Sequence, residues 1–143
     1  MVVLPKIPRT LLITTAAIEF AASVPLLIAP SLVVSLLLGT QLSSPASLLV
    51  ARIAGAALLA IGVSCWLEGR RPDPAPLTGL LSGLLVYNLA VCVLMIYAAL
   101  VDRLRGVGIW PACALHLAMT AWCAWVMLQV RLGRALPTTN GRT

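Results

Sequence analysis

The sequence predicts an all-α integral membrane four-helix bundle, with a short interfacial or re-entrant helix between the first two spans. Three observations carry that expectation. Of 143 residues, 61% are hydrophobic and only 10% are charged, whereas soluble domains carry about 25% charged residues. A chain this short cannot hide so much apolar surface in one core, so lipid must supply part of the burial. Four apolar runs are each long enough for the ~20 residues that a helix needs to cross hydrocarbon. Strict alternation of polar and apolar residues, the mark of a membrane barrel, is absent, and isolated strands leave backbone groups unsatisfied in lipid.

The runs span 11–28 (LLITTAAIEFAASVPLLI), 46–67 (ASLLVARIAGAALLAIGVSCWL), 77–100 (LTGLLSGLLVYNLAVCVLMIYAAL) and 108–130 (GIWPACALHLAMTAWCAWVMLQV). The first follows Lys6 and Arg9, as a signal peptide would, but it is long, contains Glu19 and lacks a small-x-small cleavage site, so an uncleaved span is expected. The link PSLVVSLLLGTQLSSP, 30–45, is too apolar for a simple loop and too short to span. Ser31 is a candidate N-cap and Gly39 a candidate stop, which predicts a helix over 31–38 lying at the interface or dipping in. The other links are short and charged, so neighbouring spans are expected to be antiparallel. One membrane domain accounts for 1–143.

The net charge of +6 does not point to nucleic acid, because the basic residues flank apolar runs, as topology control and anionic lipid require. Lys6, Arg9, Arg70, Arg71, Arg131, Arg134 and Arg142 gather on the side of both termini; Arg52, Arg103 and Arg105 fall on the other. Both termini are therefore expected in the cytoplasm of a multi-pass cell-membrane protein. Trp66 near one face, and Tyr97 and Trp110 near the other, fit aromatic belts. Cys65, Cys92, Cys113 and Cys123 form no C-x-x-C pair and read as small hydrophobes rather than a disulfide framework or a zinc site.

Scarce polar residues inside the spans are the candidate site. By a rise of ~1.5 Å per residue from the α-helical outer ends, Glu19 lies ~13 Å deep, Arg52 ~9 Å, His116 ~12 Å and Asn88 ~18 Å. An unpaired charge at such depth costs ~2.5–3.5 kcal/mol on insertion scales. Glu19 and Arg52 sit on adjacent spans, and an ion pair between them would lower the cost of both. Glu19 shares a helix face with Thr15, Ala16, Ala22 and Ser23, and Arg52 with Gly55, Ala56 and Gly62, the small residues that tight membrane contacts use. Gly79 and Gly83 form a further small pair. Three readings follow: a structural clasp, a ligand or proton site, or a snorkelling Arg52 beside a neutral Glu19. Asn88, with Tyr87 beside it, reads as interhelical hydrogen-bond glue. His116 shares a face with Cys113 and Thr120. A thiol and an imidazole are metal-ligand types, yet only one histidine exists and no partner has diagnostic spacing. No metal, cofactor or catalytic residue is assigned, and the candidate cluster is Glu19, Arg52, Tyr87, Asn88 and His116.

The segment ARIAGAALLAIGVSCWL, 51–67, resembles the second helix of small DoxX-like four-helix membrane proteins, in which an arginine opens a small-residue helix. YN at 87–88 and WPACALH at 110–116 are similar to segments of uncharacterised bacterial relatives of that type. The resemblance implies a four-helix integral membrane protein from a family linked to redox complexes and quinones. Small multidrug resistance exporters are a rival likeness: four spans, with one glutamate in the first helix that binds cations and protons. The expected function is a non-enzymatic accessory or small lipophilic-ligand-binding subunit in the bilayer, alone, as a homo-oligomer or in a larger membrane complex. A proton-coupled transporter using Glu19 and a quinone- or lipid-linked redox component are the alternatives.

Overall fold

The computed structural model describes residues 9–71 and 78–135, with side chains through Leu132. Lys6, Arg142, the side chain of Arg134 and residues 72–77 lie outside the described residues, so those parts of the charge count and the expected start of the third run at Leu77 have no counterpart below. Five helices follow in order: α1 (Arg9–Ile28), α2 (Pro30–Leu38), α3 (Pro45–Gly69), α4 (Thr78–Leu100) and α5 (Ile109–Ala135). Among the described residues, α1, α3, α4 and α5 are long and apolar enough to cross a membrane. The expected all-α bundle with its extra short helix is the architecture found.

The breaks have local causes. Pro30 opens α2 at its first position, where its fixed φ suits a helix and its missing N–H is no loss. Ala29 is therefore the N-cap, with no side-chain cap bond, and Ser31 lies inside the helix instead of capping it. Gly39 ends α2 in the left-handed region, φ 74°, with its N–H on the Ser35 carbonyl, a conformation that a side chain disfavours. Ser44 caps α3 reciprocally with Ser47, so that the helix starts at Pro45, one residue before the apolar run.

Close backbone approaches concentrate within two antiparallel pairs, α1 with α3 and α4 with α5. Gly55, Gly62 and Gly69 set the first pair. A Cβ on Gly55 would meet Leu26 and Leu27, on Gly62 Glu19 and Phe20, and on Gly69 Leu12 and Ile13, at 2.9–3.3 Å. Their spacing of seven keeps one bare stripe of α3 against α1, as in tight membrane helix pairs. Gly79 and Gly83, expected to serve a similar contact, meet nothing within 4 Å. They lie on an outward face of α4, because the side turned to the bundle carries Leu81, Leu84, Asn88 and Cys92.

The two pairs meet in two different ways. At the end holding both described chain termini they pack solidly. There Leu11, Leu12 and Ala16 of α1, Cys65 of α3, Leu81 and Leu84 of α4, and Met119, Cys123, Val126 and Val130 of α5 form one buried cluster. Toward the other end the pairs part, and α2 lies across the gap. Its end is pinned by the Gly108 N–H donating to the Leu36 carbonyl at 2.9 Å. Gly106 passes so close to the Leu37 carbonyl that no side chain fits there.

Candidate functional site

The gap between the pairs is a partly open cavity of about 370 Å³ with an almost wholly apolar wall. Small-molecule sites run from ~300 to 1,000 Å³. Ala22 and Leu26 come from α1, Ala54 and Leu58 from α3, Val91 and Met95 from α4, and Ala112 and Leu115 from α5. Val33, Val34 and Leu37 of α2 complete the lining. The polar contributors are Glu19, Tyr87 and His116.

Glu19 belongs to the buried stripe Leu11, Leu12, Thr15, Ala16, Glu19 and Ser23, residues three and four apart on one helical face. It is 3% exposed, and Gly62 leaves room for its Cβ. Tyr87 borders the same cavity from α4. Among the described residues no sealed side-chain oxygen or nitrogen lacks a partner. The carboxylate therefore keeps an open edge, and the cavity is the space it borders.

Asn88 and His116 join α4 to α5. The Asn88 amide nitrogen donates to the Leu84 carbonyl at 2.8 Å, and its other end lies 2.8 Å from His116 Nδ1. Asn88 is 2% exposed and stands behind the histidine as its support. The Tyr87 ring meets the His116 ring edge-on at 5.7 Å between centroids. Thr120 Oγ1 donates back to the His116 carbonyl at 2.7 Å. One turn further along, the Cys92 and Cys113 sulfurs lie 3.4 Å apart. Spacing in sequence could not reveal that pair, because its members come from different helices. Among the described residues no group of three or more histidine, cysteine, aspartate and glutamate side chains gathers in one place.

Arg52 is not part of this cluster, and the expected ion pair with Glu19 does not form. The register of α1 on α3 explains why. Gly62 is the α3 residue that faces Glu19, and Arg52 lies ten residues before it, ~15 Å of α-helical rise away. The depth estimate failed because α3 runs well past the end of α1, so that Gly55 already stands against Leu26 and Leu27. Arg52 Nε instead donates to the Leu27 carbonyl at 3.2 Å. That carbonyl sits in the last turn of α1, where no helical N–H is available and the helix dipole favours a cation. Arg9 mirrors it at the other end of the pair, with Nε on the Gly69 carbonyl at 3.0 Å, at the end of α3. The arginines clasp the α1–α3 pair, but through backbone carbonyls. Among the described residues the one ion pair is the exposed Arg71–Glu68.

Four apolar helices of spanning length around a lipophilic cavity define a multi-pass membrane protein. No protein-family model, curated protein or solved structure matches the chain.

Proposed function

We propose that this protein is a non-enzymatic binding subunit that holds one small lipophilic molecule between its two helix pairs. The single observation that carries the reading is convergence. Glu19, Tyr87 and His116 come from three different spans and border one cavity, whose remaining wall is aliphatic. A few polar groups set in an apolar concavity are the usual composition of a ligand site. Intramembrane ionisable residues are by default functional candidates as well. The charge pattern favours both termini in the cytoplasm, which would put the cavity in the outer leaflet.

The experiment is native mass spectrometry with an absorption spectrum, on protein purified in mild detergent. The expected result is one small lipophile per chain in the wild type and none in Ala54→Leu, which fills the cavity from its wall. Equal occupancy in both proteins would reject the reading. A second reading, proton-coupled exchange of the ligand, rests on one observation: among the described residues Glu19 has no ion pair. It predicts proton release when ligand is added, abolished in Glu19→Gln; binding with no released proton would exclude exchange and leave simple binding.

A further inference from the structure

The polar side chains of the cavity select a head group that suits every protonation state open to them. Glu19, Tyr87 and His116 border the space. His116 commits Nδ1 to the Asn88 side-chain oxygen at 2.8 Å, because the Asn88 nitrogen already donates to the Leu84 carbonyl. A carboxyl accepts hydrogen bonds when ionised and both donates and accepts when protonated, and a phenol does both. The wall therefore always holds an acceptor, on Glu19, and a donor, on Tyr87. Among the described residues no sealed side-chain oxygen lacks a partner, so a free oxygen on either side chain is an open one.

Charge narrows the choice further. Among the described residues no arginine borders the cavity: Arg52 is held at the Leu27 carbonyl and Arg9 at the Gly69 carbonyl. Only a charged His116 ring beside a protonated Glu19 would make the wall positive. A carboxylate or phosphate head group would otherwise be buried without a counter-charge, the costly case. A cation would in turn require the Glu19 carboxyl to be ionised. A ketone or an ether accepts but cannot donate, which leaves the Glu19 acceptor unpaired. A plain hydrocarbon leaves both polar groups unpaired, at the cost of their desolvation. A hydroxyl group, which donates and accepts at one atom, fits the wall in each state.

We propose that the occupant is an uncharged lipophile bearing a hydroxyl group, which donates to Glu19 and accepts from Tyr87 while its hydrocarbon body lies against Ala22, Ala54, Val91 and Leu115. This rests on the ligand-binding reading above and adds the chemical class. At ~30 Å³ each, water's share of liquid volume, about 370 Å³ has room for on the order of a dozen non-hydrogen atoms, the bulk of a small terpene alcohol.

Probes of one shape separate these contributions: 1-adamantanol, adamantane, 2-adamantanone, 1-adamantanecarboxylate and 1-adamantylamine. Binding is read by ligand-observed NMR in detergent, with Ala54→Leu as the blank for partition into micelles. The alcohol should bind the wild type about three- to tenfold more tightly than adamantane, the worth of a neutral hydrogen bond. It should also bind more tightly than the ketone and both ions. Glu19→Gln keeps a donor and an acceptor, so it should leave the preference for alcohol over adamantane within about twofold of the wild type. Glu19→Leu and Tyr87→Phe should each reduce that preference. Taking the ratio within one variant cancels a general loosening of the fold.

An alcohol that binds no more tightly than adamantane overturns the inference, as does either ion binding more tightly than the alcohol. A preference that survives both Glu19→Leu and Tyr87→Phe overturns it as well, because the hydroxyl would then be held elsewhere. If no probe, adamantane included, distinguishes the wild type from Ala54→Leu, it is the ligand reading itself that falls.

Discussion

The two halves of this bundle use the same kind of residue to opposite ends. Toward the described termini, small residues let helices close: Gly62 and Gly69 bring α3 onto Phe20, Leu12 and Ile13, and the two pairs interdigitate through Leu11, Leu81, Cys123 and Val126. Toward α2, small residues line empty space instead. Ala22, Ala54 and Ala112 border the cavity, and no larger side chain reaches in to fill it. Smallness in a membrane helix therefore has no meaning of its own. It permits close approach where a partner backbone arrives and leaves a hole where none does.

Bulk added in each half should have opposite consequences. Gly62→Leu drives a branched side chain into the Phe20 ring, which would already lie 2.9 Å from a Cβ there. Overpacking of this kind costs about 1–3 kcal/mol, and thermal unfolding in detergent should show it as a clear loss of stability and of folded yield. Ala54→Leu installs the same side chain where space exists, so its change in stability should stay within about 0.5 kcal/mol while ligand occupancy disappears. Similar destabilisation by both would mean that the cavity is not free space.

A smaller effect separates the arginine clasp from the site. Arg52→Met leaves the Leu27 carbonyl without its cation and should lower stability by about 0.3–1 kcal/mol, the worth of a favourable charge at a helix end. Occupancy of the cavity by the copurifying lipophile should be unchanged, since Arg52 does not line the cavity. Lower occupancy in this variant would return Arg52 to the functional cluster.

The smallest effect concerns the α4–α5 seam beside the cavity. The Cys92 and Cys113 sulfurs are in contact at 3.4 Å, and both thiols are free. Treatment with the membrane-permeant oxidant diamide should join them, with loss of two hydrogens from the intact mass and reduction of diamide to its hydrazine. Cys92→Ser should abolish that change while leaving stability nearly as before. Cross-linking that survives Cys92→Ser would place the seam in a different register.

Much of the fold was legible from residue order because lipid makes its demands locally. A span must satisfy its own backbone within one continuous apolar helix, so length and hydropathy locate α1, α3, α4 and α5 to within a few residues. Pro30 and Gly39 likewise act on their own φ angles and delimit α2 without help from the rest of the chain. The candidate site was legible only in part. Depth along each span placed Glu19, Arg52, Asn88 and His116 in the outer half or near the midplane, but it took the ends of α1 and α3 to be flush. The contribution of α2 to the cavity wall carried no signal beyond its apolarity.

What residue order determined by itself is a set of apolar helices, their breaks, and the few hydrophilic side chains that lipid obliges to turn inward. Which of those side chains meet depends on how the helices pack. The sliding register of one helix on another is set by the glycines Gly55, Gly62 and Gly69 packing against α1, not by any property of a single span. That register sends Arg52 to a helix end and leaves Glu19 facing a cavity, while the packing of α4 on α5 brings together two sulfurs 21 residues apart in the chain. Local chemistry fixes how a helix forms in a bilayer; the fit of one surface on another fixes what each buried charge finds beside it.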